Sequence, residues 1–272
     1  MSKKVSAIIL DWAGTTVDFG CFAPVNAIIS AFEACGITPT FDETRAPMGM
    51  EKRTHVEKML EGERLAALWK EKHGRSHTKG DVDRIYKKFE SALFETLADY
   101  TDPLPGVLET VNKLREMGLV IGSTTGYTTE MMDIVVPLAG AKGYMPDYIV
   151  CPEDVGNGRP YPYMIWHNLK KFRIADVRNV VKVGDTTVDI EEGKNAGCIS
   201  VGVLKGSCML GLSEKEYEDI PFIDLERLLK EARAKYTKAG ADYVIEDITE
   251  LPKLIVTLSA NVHSCDCHKY FY

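Results

Sequence analysis

Five short runs rich in valine and isoleucine constrain this chain more than any other feature: VSAIIL at 5 to 10, LVIGS at 119 to 123, DYIVC at 147 to 151, VVKV at 180 to 183 and ISVGV at 199 to 203. Runs this short and this apolar predict buried strands. Patterns between them, such as VLETVNKLREMG ending in Gly118 and TEMMDIVVPLAG ending in Gly140, have helical spacing and a glycine stop. Strand alternating with helix predicts an α/β fold built on a parallel, doubly wound sheet.

The alternation stops between about residues 20 and 100. There VNAIISAFEACG, KRTHVEKMLEGERLAALWKEKHG and VDRIYKKFESALFETLADY all carry helical spacing with no strand between them. A helical insertion directly after the first strand predicts a cap domain at 21–100, set into an α/β core formed by 1–20 and 101–260, with a tail at 261–272. Hinges are expected near Asp18 to Phe22 and near Thr101 to Gly106, where TDPLPG supplies two prolines and a glycine.

A formal net charge of -7 speaks against a surface that tracks nucleic acid and leaves room for one local anion pocket, so the expected partner is a small molecule. The apolar run before Asp11 is too short for a signal peptide, and no run is long enough to span a membrane. Seven cysteines without regular spacing suit a reducing compartment, and the cytoplasm is the expected location. Cys265, Cys267 and His268 lack a second ligand pair and are weak candidates for a metal.

Asp11 follows a wholly apolar strand, an awkward place for an acid that is neither paired nor metal-bound. Asp185 and Asp189 follow the run at 180 to 183. Three acids at strand ends, on the edge where open α/β sheets bind ligands, suggest a hard-oxygen site suited to Mg2+. IGSTTGY adds hydroxyls and backbone amides at another strand end, and GRP adds Arg159, which together suit a phosphoryl group. In the cap, APMGMEKRTHVEK sets Met48, Lys52 and His55 at spacings of four and three, predicting one helix face with Pro47 in its first turn. Blander readings stay open from residue type alone. Lys52 sits in a charged stretch typical of a solvated face, Asp185 and Asp189 suit the cap of a helix beginning near Val188, and Met48 and Cys21 suit a core.

The ordered set resembles the four motifs of the haloacid dehalogenase superfamily over nearly the whole chain. DWAGTTVDFGCFAP, PMGMEKRTHV, STTGYT and GRPYP resemble its phosphonatase branch, which hydrolyses the carbon–phosphorus bond of phosphonoacetaldehyde. The superfamily's first motif usually reads Asp-x-Asp, the second acid protonating a leaving oxygen. Here that position is Ala13, which argues against the nearest alternative, a phosphatase or phosphomutase acting on a small phosphate ester. A carbon–phosphorus bond releases a carbanion, which calls for an electron sink such as an imine.

The resemblance implies that Asp11 is the nucleophile and Lys52 the imine former. It implies that Asp11, the Ala13 carbonyl and Asp185 hold Mg2+, with Asp189 completing the acidic shell. Thr125, Gly126 and Arg159 become phosphoryl binders, with Thr124 the less favoured hydroxyl. Met48, Gly49, His55, Cys21 and Tyr127 surround the imine and order the site. Lys52 must be neutral to attack a carbonyl, so burial and nearby cations are expected to depress its pKa. The resemblance also implies a homodimer joined through the caps, for which the apolar residues of VNAIISAFEACG suit either the interface or the cap's own core.

Overall fold

The computed structural model describes residues 5–260, so Cys265, Cys267 and His268 lie outside the described residues. The valine- and isoleucine-rich runs form β1 (Ala7–Leu10), β2 (Val120–Thr124), β3 (Tyr148–Val150), β4 (Val180–Gly184) and β5 (Ile199–Val203). A sixth strand, β6 (Tyr243–Ile245), completes a sheet of order β3-β2-β1-β4-β5-β6 in which every pairing is parallel. Sequence reading did not anticipate β6, which is three residues long, lies at the sheet edge and exposes Tyr243.

Helices α6 (Val107–Glu116), α7 (Thr129–Ala141), α8 (Tyr163–Phe172) and α9 (Thr187–Ala196) connect the strands. The strand order reverses between β1 and β4, and at such a switch point the carboxyl ends of neighbouring strands open into a crevice. Leu10 is in register with Val183, so Asp11 and the loop after Gly184 emerge side by side. The amide of Asp11 donates to Val183 O at 3.0 Å, which carries the sheet hydrogen bonding up to the acid itself.

Between β1 and β2 lie α1 (Phe22–Glu33), α2 (Phe41–Arg45), α3 (Lys52–Glu61), α4 (Glu63–His73) and α5 (Lys79–Thr96). In α1, Val25, Ile28, Ala31 and Phe32 are buried, and the helix packs on α5 through that helix's Ile85, Phe89 and Leu93. Full burial of each large apolar side chain contributes roughly 1.5–3 kcal/mol. Most apolar residues of VNAIISAFEACG are thus buried, and Val25 clusters with Cys21, Met48 and Cys208.

Two helical expectations need correction. The pattern at 52–74 is two helices, because Gly62 adopts an extended conformation that ends α3 and starts α4. Met48 and Pro47 precede α3 instead of lying in its first turns. Gly49 has φ +90, which no right-handed helix accepts, and the Glu51 carboxylate then caps α3 by accepting from the amides of Arg53 and Thr54 at 2.9 Å each. Among the described residues, no helix is long and apolar enough to cross a membrane.

Candidate active site

The loops after β1, β2, β3 and β4 and the cap segment before α3 line a small cavity between them. Asp11, Ala13, Asp185 and Arg159 line it from the core, together with Thr125, Gly126 and Tyr127. Cys21, Met48, Gly49 and Lys52 line it from the hinge and the cap. His55 and Asp189 stand behind this lining.

Asp11, Asp185 and Asp189 each offer a carboxylate oxygen within 4.8 Å of the others, and all three are buried. Oδ2 of Asp185 accepts from the Cys208 amide at 2.8 Å and from the Cys21 thiol at 3.3 Å, whereas its Oδ1 has no partner. Burial, reinforced by the charges of Asp11 and Asp189, pushes the Asp185 carboxyl well above the usual range. Asp189 is differently placed. Its Oδ1 meets Lys182 Nζ at 2.8 Å and Arg159 Nη1 at 3.0 Å, while Oδ2 closes a capping box with Thr186 at the start of α9. Asp189 thus caps α9 and lies beside Asp11 and Asp185.

Buried with these acids is Glu192, and the four carboxylates face two cations, Arg159 and Lys182. One divalent ion would neutralise the excess of two negative charges. An unpartnered buried carboxylate oxygen beside Asp11 gives such an ion a hard ligand, so the residues fit Mg2+ chemistry.

Arg159 reaches Asp11 from the loop after β3. Its Nη2 donates to Asp11 Oδ1 at 2.7 Å and to Thr124 O at 2.8 Å, and its Nε donates to Glu192 Oε2 at 2.9 Å. These carboxylates hold its pKa above the ordinary arginine value against the opposing effect of burial. Thr125 faces the cavity, while the Thr124 hydroxyl lies behind it and donates to Glu192 at 3.0 Å.

On the cap side, Lys52 is 4% exposed, and its amine donates to Met48 Sδ at 3.6 Å, a weak acceptor that favours the ammonium form little. Burial lowers its pKa, Arg159 acts in the same direction, and Cys21 and Asp11 oppose them. The amine stands 5.4 Å from the ring centroid of Tyr127, whose buried hydroxyl has no partner. Nε2 of His55 donates to Thr44 O at 2.8 Å, and burial, with the Lys52 charge adding, lowers the imidazole pKa to about 3. Burial thus favours the neutral form of His55. Asp18, at the hinge, accepts from the amides of Phe22 and Ala23, and burial raises its carboxyl to about 7.

Cap and core meet at two glycines. A Cβ on Gly49 would overlap the Thr186 hydroxyl, and one on Gly126 would stand 3.0 Å from Met50 O. Sequence reading missed Lys182, Glu192, Thr186 and Cys208. A lysine inside VVKV was a visible signal for the first, and Glu192 follows Asp189 by one helical turn, but nothing marked Cys208.

The family model for haloacid dehalogenase-like hydrolases matches residues 5–197. The chain is 48% identical over 257 residues to the phosphonoacetaldehyde hydrolase of Lysinibacillus sphaericus, covering 94% of this chain and 96% of that protein. It is 47% identical over 256 residues to the bifunctional phosphonoacetaldehyde hydrolase/aminoethylphosphonate transaminase of Clostridioides difficile, covering 94% of this chain but 40% of that longer protein. The crystal structure of a phosphonoacetaldehyde hydrolase-like protein from Oleispira antarctica superposes with a TM-score of 0.92 at 34% identity, covering 96% of this chain and 94% of that one. Fold, acid cluster and full-length likeness agree, and this chain belongs to the haloacid dehalogenase-like hydrolases and, within them, to the phosphonoacetaldehyde hydrolase family.

Proposed function

We propose that the chain hydrolyses phosphonoacetaldehyde to acetaldehyde and phosphate, with Lys52 as imine former and Asp11 as nucleophile. One observation carries this reading: a buried amine with a depressed pKa lines the same small cavity as a carboxylate already aligned by an arginine. Ala13 adds weight, because a phosphate ester would need an acid where this chain has a methyl group.

The neutral Lys52 amine adds to the aldehyde, and the adduct takes up one proton from solvent and loses water, leaving a protonated imine. Asp11 then attacks phosphorus. The carbon–phosphorus electron pair moves into the imine, which gives an enamine on Lys52 and an aspartyl phosphate on Asp11. Protonation of the enamine carbon regenerates the imine, and water releases acetaldehyde from it. A second water frees phosphate from Asp11. Arg159 orients the nucleophile and offsets charge on the phosphoryl oxygens, and the backbone of 125–127 supplies further donors. Asp11, Asp185 and the Ala13 carbonyl would hold Mg2+, with Asp189 supporting the cluster through hydrogen bonds. The bound ion would offset phosphoryl charge and the mutual repulsion of the acids.

Borohydride added with phosphonoacetaldehyde tests the reading. Mass spectrometry should find a reduced adduct on Lys52, and the untreated reaction should release acetaldehyde and phosphate together. Phosphate release without an adduct would instead support a phosphate-ester enzyme. We place the protein in the cytoplasm, a location supported by five described cysteines that are all free thiols. Dimerisation through the cap draws no support from α1, whose apolar face is used internally, and light scattering decides it.

A further inference from the structure

Lys182 has no role in the mechanism above, yet it occupies the most unfavourable position for a lysine in the fold. It is fully buried in the middle of β4, a strand buried along its whole length. Lysine is almost never found there unless it is paired. The chain also makes room for it: a Cβ on Gly193 of α9 would stand 3.1 Å from Lys182 Cβ and would overlap the Ser200 hydroxyl. Glycine inside a helix costs about 1 kcal/mol relative to alanine.

The partners of Lys182 are the partners of Arg159, atom for atom. Nζ meets Asp189 Oδ1 at 2.8 Å and Glu192 Oε2 at 3.4 Å, and it donates to Thr124 Oγ1 at 3.0 Å. Arg159 meets the same Asp189 oxygen through Nη1 at 3.0 Å, the same Glu192 oxygen through Nε at 2.9 Å and the same threonine oxygen through Nη2 at 2.8 Å. Three carboxylates thus surround one guanidinium. Two of them, Asp189 and Glu192, pull it away from the cavity, and only Asp11 pulls it toward the reacting centre.

We propose that Lys182 and Glu192 are a positioning pair: Lys182 takes up the charge of the two rear carboxylates so that the Arg159 guanidinium stays directed at Asp11 and the phosphoryl group. Neither residue touches substrate. The proposal rests on the phosphoryl-transfer reading above and assigns these residues to that half-reaction, not to imine formation.

The test compares wild type, Lys182→Met, which keeps the volume without the charge, and Lys182→Met/Glu192→Gln, which removes one charge of each sign. Phosphate release is measured beside borohydride trapping at Lys52. The single variant should lose about 10- to 100-fold in kcat, the range typical of a displaced charge stabiliser, with trapping within about threefold of wild type. The double variant should recover to within about tenfold of wild type, because removing one charge of each sign restores the net charge behind the guanidinium to that of wild type. A single variant within about threefold of wild type, a loss that the second substitution does not recover, or trapping lost in parallel would each overturn the proposal. Should the single variant fail to fold, the double variant decides alone, and a loss above about tenfold overturns the proposal. If wild type itself neither traps nor releases phosphate, the underlying function is wrong; if only the variants behave otherwise than stated, the pair is.

Discussion

His55→Gln isolates the cost of holding a neutral imidazole under the cap. Glutamine retains an N–H donor for Thr44 O but does not titrate. In the folded chain the imidazole pKa is lowered to about 3, whereas in the unfolded chain it is ordinary, about 6.5. Between these values the unfolded chain binds a proton that the folded chain refuses. Stability carried by neutral His55 is therefore complete above pH 6.5 and is lost as pH falls toward about 3. Between pH 7.5 and pH 5, the proton taken up by the unfolded chain shifts the balance by about 2 kcal/mol. Wild type should thus lose about 2 kcal/mol more than His55→Gln over that interval, which is a difference of roughly 4–8 °C in Tm shift for a protein of this size. Urea unfolding followed by tryptophan fluorescence at the two pH values gives the comparison, and subtracting the variant cancels groups such as Asp18 that titrate nearby. Parallel pH profiles for the two proteins would refute the reasoning, since they would mean that His55 accepts its proton in the native state.

Lys52→Arg keeps a long basic side chain but forms no stable imine, so it should abolish the borohydride adduct and lower turnover by more than about a thousandfold; near-normal acetaldehyde release would exclude the imine route. Chelation by EDTA should stop phosphate release and leave trapping at Lys52 detectable, with recovery on adding Mg2+; phosphate release that EDTA leaves unchanged would remove the metal from the scheme. Gly49→Ala forces a methyl group against Thr186 at a backbone angle that disfavours alanine, so Tm should fall by a few degrees and kcat/KM, measured well below Tm, by about a hundredfold. Unchanged kcat/KM in the folded variant would show that the close approach at Gly49 does not matter for the reaction.

Much of the fold was legible because a parallel sheet buries both faces of its strands, and only Val- and Ile-rich runs such as AIIL tolerate that. β6 was hidden for the converse reason, since a three-residue edge strand needs no apolar run. Asp11 and Asp185 stood out as acids directly after such runs. Lys182 and Glu192 did not, because residue type gives no burial, and EEG on a helix reads as solvent-facing until α9 is seen against β4. The break at Gly62 and the late start of α3 depended on single backbone conformations that hydrophobic periodicity does not record.

Gly49 and Gly126 let the roof of the chamber settle onto its floor, backbone against side chain on one flank and backbone against backbone on the other. A seal that tight imposes a timetable. If Lys52 and Asp11 act as proposed, aldehyde would enter with the roof raised, the phosphorylated carboxylate would form with bulk water shut out, and phosphate would leave once the roof lifted. Capture, transfer and release would then be ordered by the travel of a wall, and two absent methyl groups leave the space in which that wall rests.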